Sequence, residues 1–361
     1  MGTAYLILEN GTVFKGRSFG HDGEAIGELV FTTGATGYLE TLSDPAYYGQ
    51  IVLQTFPLIG NYGAIAEDFG DGSVHPSAYI AREWCQEPSN FRSEGNLDSF
   101  LREHKTPGLS GIDTRALTRI IREEGTMNAM LSKTPELSGE QWSALRGYKV
   151  TGAVAEVMNR ETGSESYRNI TGVPGWSQNA RFLLWDFGGS QMLFSLLTDS
   201  RCVSAVASHG VSALDILAHS PDGVVILGGP GDPAENAGAI EQIARLCRHG
   251  VPIWGVGLGH QMLALARGAS TEKLRFGHRG ANQPVRDLKT GRVFVTAQNH
   301  GYAVSKGTLP QGAAMRYESL NDGTCEGIDY ADIPAFSVQF EPTGEFVERF
   351  IAMTKEAPKC R

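Results

Sequence analysis

Between Arg181 and Ala269, short apolar runs alternate with amphipathic ones, and that alternation limits the fold more than any other feature of the chain. RFLLWDFGG reads as a strand and SQMLFSLLTD as a helix; CVSAVAS and SALDILAHS repeat the pair. GVVILGGPGDP, AGAIEQIARLCRHG, VPIWGV and GHQMLALARG repeat it twice more. Such alternation calls for parallel strands joined by crossovers, with helices on both faces of the sheet. Ligands in such sheets sit beyond the C-terminal ends of the strands. Two strands end in glycine turns, LGGPGDP (227–233) and WGVGLGHQ (254–261), so a site is expected there.

The first half has another texture. YLILENGTVFKGRSFG, GELVFTTGATGY and GQIVLQTFPLIGNYG are short β-type runs broken by Asn-Gly and Gly-x-x-Gly turns. Two helical patterns follow, NLDSFLREH and TRALTRIIREEG. The second places Leu117, Ile120 and Ile121 on one face, with Thr114 as N-cap and Gly125 as stop. At 361 residues the chain exceeds what one core usually holds. The expected division is residues 1–150, a linker rich in Gly, Ser, Asn and Pro over 151–180, and a second domain over 181–361.

Charge and cysteine usage exclude several classes. A formal charge of −9 without a sustained Lys/Arg run argues against nucleic acid as a partner. No apolar run approaches the ~20 residues that span a bilayer, so no membrane partner is expected. The start MGTAYLILENG has neither a signal peptide's basic region nor the Ser or Thr at position six of a myristoylation site, which is Leu6 here. The five cysteines, Cys85, Cys202, Cys247, Cys325 and Cys360, form no CxxC pair. They read as reduced thiols of a cytoplasmic protein, with neither a metal site nor a cofactor in this chain.

The turn at 255–259 admits three readings. Gly255-x-Gly257-x-Gly259 has the wrong spacing for a dinucleotide fingerprint and follows the fourth strand of its domain, not the first. It fits a tight strand-to-helix turn packed through small residues. It also fits a nucleophile elbow whose central residue has been replaced. An elbow holds that residue strained, usually at positive φ, at about 1–3 kcal/mol for a side-chain-bearing residue and almost nothing for glycine.

The surrounding residues favour the third reading. GVGLGHQMLALARGA resembles the Gly-x-Cys-x-Gly-His-Gln elbow of class I glutamine amidotransferases. More narrowly, the chain resembles the small, glutaminase subunits of carbamoyl-phosphate synthetases over its whole length. GELVFTTGATGYLETLSDPAYYGQIV, PLIGNYG, SNFR and GIDTRALTRIIREEG carry this in the first half. LLWDFG, PDGVVILGGPGDP, FGHRGANQPV, AQNHGYAV and PAFSVQFEP carry it in the second. The resemblance implies an α/β chain: an N-terminal β-rich α/β domain, then an amidotransferase-like domain with a mainly parallel sheet flanked by helices. It implies glutamine hydrolysis by a Cys-His-Glu triad and ammonia passed to a large subunit. That partner uses ATP and bicarbonate to make carbamoyl phosphate for arginine and pyrimidine synthesis.

The departures fall where the chemistry should be. Gly257 stands at the nucleophile position. In QFEPT (339–343) Glu341 stands at the base and Thr343 at the orienting carboxylate. Ala46 replaces a glutamine-binding Ser, Gln283 of ANQPV replaces a His, and GGSQ replaces a basic pair after Asp186-Phe187. Gly229, Gly231, the Leu258 N–H, Gln261, Asn299, Gly301 and Tyr302 match the family's glutamine-binding positions. Cys247, ten residues upstream of the elbow, is expected at the opposite end of the elbow strand as a buried helix thiol. His260 and His300 are expected to pack or hydrogen-bond, outside the triad. The chain is therefore expected to dock on a large subunit without hydrolysing glutamine, with ammonia or glutamine as the small molecule it meets. The alternative is a pseudoenzyme that senses an amino acid or serves another partner.

Overall fold

The computed structural model describes the chain apart from Met1, Asp71, residues 163–169 and 174–179, Ser190 and residues 357–361, and apart from the side chains of residues 160–162, 191 and 192. It divides into two compact units. One comprises the residues up to Thr151 together with Arg275–Ala281; the other comprises Gly152–Leu274 and the chain from Asn282 onward.

In the first unit the β-type runs close into a barrel. Its strand order is Thr3–Leu8, Val13–Gly20, Pro107–Ser110, Ala78–Ile80, Gln50–Gln54, Ala25–Thr32 and Met127–Ser132. Closure leaves no unpaired strand edge. The two-residue period of the strands sorts their side chains. Leu29, Phe31, Ile51, Leu53, Ala78 and Ile80 join one buried cluster with Leu117 and Ile121 of the helix Thr114–Glu124. Val30, Val52 and Tyr79, one residue out of step, join a second with Leu39, Leu42, Leu97 and Leu101. Each such Val, Leu, Ile or Phe side chain stabilises the unit by about 1.5–3 kcal/mol through burial.

The second unit is built on a ten-stranded sheet. Its parallel part runs Val203–Ser208, Phe182–Asp186, Gly223–Ile226, Ile253–Val256 and Ala335–Val338. Leu183, Trp185, Val224, Ile226 and Ile253 face the helices Ala213–Ala218, Ala237–His249 and Leu258–Ala266. Phe182, Leu184, Val225, Trp254 and Phe336 face Gln191–Asp199 and Gly344–Glu356. Both faces are covered, which is why these strands read as continuous apolar runs.

The parallel sheet flanked by helices is the expected one, and antiparallel strands extend it: Cys325–Tyr330 pairs antiparallel with Ala335–Val338, and Ala313–Ser319 antiparallel with Cys325–Tyr330. Three other expectations are corrected. Residues 181–361 are not all one unit, because Arg275–Ala281 belongs to the barrel unit. There the Thr126 N–H donates to the Arg275 carbonyl (2.7 Å), the Thr33 N–H to that of Arg279 (3.1 Å), and Phe276 stacks on Phe31. The segment 151–180, read as linker, contains the helix Ala153–Thr162 and the strand Ile170–Gly172, while 163–169 and 174–179 lie outside the described residues. Thr114 is not the N-cap: the Asp113 carboxylate accepts the Ala116 N–H at 2.9 Å, leaving Thr114 as the first helical residue. Gly125 ends that helix at φ 100°.

Candidate functional site

The glycine turns occupy the C-terminal ends of neighbouring parallel strands. Gly257 follows Ile253–Val256, opens the helix Leu258–Ala266, and donates its N–H to the Val338 carbonyl at 2.9 Å. Glu341 lies three residues beyond Val338 and donates its own N–H to the Ala297 carbonyl at 3.0 Å. Backbone pairing thus brings Gly257 and Glu341 to adjacent strand ends. Thr343 is exposed, and its carbonyl accepts the Phe346 N–H at the start of the last helix.

Gly257 keeps the backbone of an elbow, φ 57° and ψ −116°. The three glycines of the turn are there for different reasons. A β-carbon on Gly255 would lie 2.6 Å from the Gly259 carbonyl oxygen, and one on Gly259 would lie 2.2 Å from that of Ile226. Neither contact is tolerable, so both flanks are glycine for space. A β-carbon on Gly257 would meet only the Gly228 Cα at 3.5 Å, an ordinary contact. Position 257 is therefore the one of the three with room for a β-carbon.

The other strand end is equally tight. A β-carbon on Gly229 would fall 2.2 Å from the Phe187 carbonyl oxygen, and Gly231 adopts φ 87° beside the Ala153 methyl. Gly188 and Gly189, standing where a basic pair was expected, donate their N–H groups to the Asp186 carboxylate at 3.0 and 3.1 Å. Burial raises the Asp186 pKa. Of the rest of GGSQ, Ser190 and the Gln191 side chain lie outside the described residues.

Most of the remaining polar groups are committed to each other. The Gln261 amide nitrogen donates to the Tyr302 carbonyl (2.7 Å) and to the Gln339 Oε1 (2.8 Å), which leaves its oxygen as the only amide group for a ligand. Gln339 was not singled out from the sequence; its signal was its place two residues before Glu341 in QFEPT. Asn299, Gly301 and Tyr302 lie half-buried on the strand Val293–Val304, with Asn299 and Gly301 on one face and Tyr302 on the other.

Both histidines are hydrogen-bonded core residues. His260 is fully buried with Nδ1 2.8 Å from the Ser337 Oγ, and burial lowers its pKa to about 3. His300 ends a relay that the sequence did not show. The Thr296 hydroxyl donates to the Gln283 carbonyl (2.9 Å) and accepts from the Gln298 amide nitrogen (3.0 Å). That orientation turns the Gln298 Oε1 toward the His300 Nε2 at 3.1 Å, while the His300 Nδ1 faces the Tyr302 carbonyl at 2.8 Å. Both ring nitrogens thus face oxygen atoms, and the fully buried Glu326 carboxyl group lies 3.8 Å from Nε2. Gln283, noticed only as a departure, is where the relay begins.

Cys247 lies near the end of the helix Ala237–His249, before the elbow strand begins, and burial pushes its thiol up to about 11. Cys325 is likewise buried and raised to about 12. In the barrel unit Ala46 sits in the turn Pro45–Tyr47, its N–H donating to the Asp44 carboxylate at 2.9 Å, with a methyl where the expected Ser would offer a hydroxyl.

A parallel sheet sandwiched by helices, with an elbow and a second glycine turn at adjacent strand ends, defines the class I glutamine amidotransferase fold. Residues 183–346 match the family "Glutamine amidotransferase class-I", and residues 6–131 match "Carbamoyl-phosphate synthase small chain, CPSase domain". The carbamoyl phosphate synthase small chain of Oceanobacillus iheyensis is 45% identical over 338 residues, covering 93% of this chain and 90% of its own. The pyrimidine-specific small chain of Halalkalibacterium halodurans is 46% identical over 340 residues, covering 93% and 91%. The Bacillus caldolyticus small chain is 42% identical over 98% of this chain and 97% of its own. The chain belongs to the carbamoyl-phosphate synthase small-chain family, and a small chain implies a large-chain partner. No helix among the described residues is long and apolar enough to cross a membrane.

Proposed function

We propose that the chain serves a carbamoyl-phosphate synthase as a small chain that does not hydrolyse glutamine, the nitrogen coming from free ammonia. The observation that carries this is Gly257: an elbow with room for a side chain and no thiol on it. Without a nucleophile, no acyl-enzyme forms. Glu341 lacks an imidazole's proton-shuttling range near neutral pH, and Thr343 cannot orient a base as a carboxylate does. In this reading ATP and bicarbonate belong to the large chain and no cofactor to this one. The retained glycine turns and Gln261 also favour a second reading, an amino-acid-sensing pocket without catalysis. It weakens because the Gln261 amide nitrogen is already spent on Tyr302 and Gln339.

The deciding experiment is carbamoyl-phosphate formation by this chain with its cognate large chain, comparing glutamine with ammonium. Activity with ammonium alone, raised by adding this chain, is expected. Comparable activity with glutamine overturns the reading. Glutamine-dependent thermal stabilisation of the isolated chain, with no large chain bound, would favour the second reading instead. Within the first reading, Glu341 favours ammonium at the disused site through its charge. Glu341→Gln should raise the apparent KM for ammonium; an unchanged KM removes that role.

A further inference from the structure

The barrel unit carries an open cleft of about 540 Å³ whose walls hold Arg17, Arg82, Glu83, Trp84 and Asp113. The end of the strand Pro107–Ser110 organises it. Ser110 pairs in register with Arg17 on one side, and the Gly111 N–H donates to the Arg82 carbonyl at 2.8 Å on the other. Gly111 turns the chain at φ 80°, and a β-carbon there would stand 4.0 Å from the Arg17 Nε, so this guanidinium lies over bare backbone. Two residues on, Asp113 caps the helix Thr114–Glu124. Its Oδ1 accepts the Ala116 N–H at 2.9 Å, and its other oxygen takes no partner among the described residues.

Two features of these walls select a ligand. The first is charge. Arg17, Arg82, Glu83 and Asp113 are exposed, and the first three form neither an ion pair nor a side-chain hydrogen bond among the described residues. Two cations and two anions thus line one cleft without satisfying each other. A ligand of one sign gains from one pair and is repelled by the other, whereas a ligand that carries both signs gains from both. The second feature is Trp84. It stacks on the buried Phe19, ring centroids 5.5 Å apart at 18°, which holds its half-buried ring as a rigid apolar wall. The volume lies within the range of small-molecule sites, roughly 300–1,000 Å³.

We propose that this cleft binds a free amino acid as its zwitterion, with the carboxylate against Arg17 and Arg82, the ammonium against Glu83 and Asp113, and an aromatic side chain on Trp84. A guanidinium receives a carboxylate through its planar fork of N–H donors. An ammonium brings three donors to the facing carboxylates, and an aromatic ring prefers to meet another in an offset stack. Barrel-unit residues alone build the site, so it stands whether or not the chain hydrolyses glutamine. Because the cleft is open, part of the ligand stays in water, and the expected dissociation constant is on the order of 0.1–1 mM.

Isothermal titration of the full chain with L-phenylalanine tests this. It is set beside 3-phenylpropanoate, which lacks the ammonium, and 2-phenylethylamine, which lacks the carboxylate. The expected result is single-site binding of L-phenylalanine, with either analogue weaker by about 10-fold or more. Arg17→Gln with Arg82→Gln should weaken L-phenylalanine by about 10-fold or more and leave 2-phenylethylamine no weaker. Glu83→Gln should weaken L-phenylalanine and leave 3-phenylpropanoate no weaker. Arg119→Gln is the control, on the helix Thr114–Glu124 outside the cleft with its side chain 74% exposed, and should bind as the parent does. Unchanged unfolding midpoints without ligand show that the exposed substitutions spare the fold. No binding at millimolar concentration overturns the assignment, and so does equal affinity for the three probes. Binding of L-phenylalanine indifferent to both cleft variants also overturns it, because the ligand then sits elsewhere on the chain.

Discussion

Replacing Gly257 with alanine tests whether the elbow is an emptied mount or merely a turn that requires glycine. The added β-carbon meets nothing closer than the Gly228 Cα at 3.5 Å, so sterics contribute little. What remains is the strain of a side-chain residue at φ 57° and ψ −116°, about 1–3 kcal/mol. Part of it is offset by about 0.4–1 kcal/mol, because alanine restricts the unfolded chain more than glycine does. The net destabilisation should be roughly 0.5–2 kcal/mol. Gly259→Ala is the contrast. Its β-carbon would sit 2.2 Å from the Ile226 carbonyl oxygen at the end of a central strand, so strand or helix must move. That should cost about 3 kcal/mol or more, at or beyond the upper end of overpacking penalties. Urea unfolding followed by tryptophan fluorescence suits the comparison, since the buried Trp254 lies three residues before Gly257. With two units, the transition that contains Trp254 is the one to fit. If Gly257→Ala costs as much as Gly259→Ala, the room at position 257 is illusory and the idea of a vacated nucleophile site fails.

The same room predicts a gain of function. Gly257→Cys combined with Glu341→His and Thr343→Glu should release glutamate from glutamine in the isolated chain, whereas Gly257→Cys alone should not exceed a trace; equal rates would show that the base is not at 341. His260 predicts an acid-limb slope. Its folded pKa, about 3, lies below the ordinary value of 6.5, so on acidification the unfolded chain takes the proton first. Its contribution to stability is therefore complete above pH 6.5 and is lost as pH falls toward 3, by at most about 1.4 kcal/mol per pH unit. His260→Asn should flatten that slope in urea unfolding between pH 6.5 and 4, and an unaltered slope would mean that some other group carries it.

The parts of the molecule legible from sequence are those fixed by short-range pattern. Fully buried strands such as GVVI and IWGV announce themselves as apolar runs, and the elbow by three glycines within five residues. The matching of Gly257, Glu341 and Thr343 to the family's triad rests on motif order alone. What stayed hidden depends on contacts distant in sequence. FGHRGA reads as part of one long strand, and nothing local says that its Phe276 stacks on Phe31 and its Arg279 carbonyl receives the Thr33 N–H. The antiparallel extension of the sheet was missed because VFVTAQNHGYAV mixes polar and apolar residues without telling which face is covered. Asp113 displaced Thr114 as cap because both types satisfy the same geometry, and only the backbone decides which residue comes first. The half-buried strip leading to the site, Ala297, Asn299 and Gly301, became visible only once the alternation of that strand was known.

The relay ending at His300 sets an imidazole beside the buried Glu326 carboxyl group, a pairing that neither motif nor composition revealed, and the carboxyl group can be replaced without changing shape. In Glu326→Gln the amide keeps the volume of the carboxylate but loses its charge. A doubly protonated ring would then sit buried without a counter-charge, and a singly protonated one leaves the Gln298 Oε1 or the Tyr302 carbonyl facing a lone pair. Both outcomes cost energy, because a buried charge without its partner or a buried acceptor without its donor is not repaid by solvent. Breaking a buried pair by removing one partner costs about 3–5 kcal/mol. At 3.8 Å the contact is looser than a direct hydrogen bond, which places the expected loss nearer the lower figure, about 3 kcal/mol. Urea unfolding measures that loss, and the ¹⁵N shifts of the His300 ring at pH 7 show whether both nitrogens carry protons in the unmodified chain. A loss under about 1 kcal/mol together with a neutral ring in the unmodified chain would refute the relay. A doubly protonated ring that becomes neutral in Glu326→Gln would show that the carboxylate, rather than the two acceptors, holds the second proton in place.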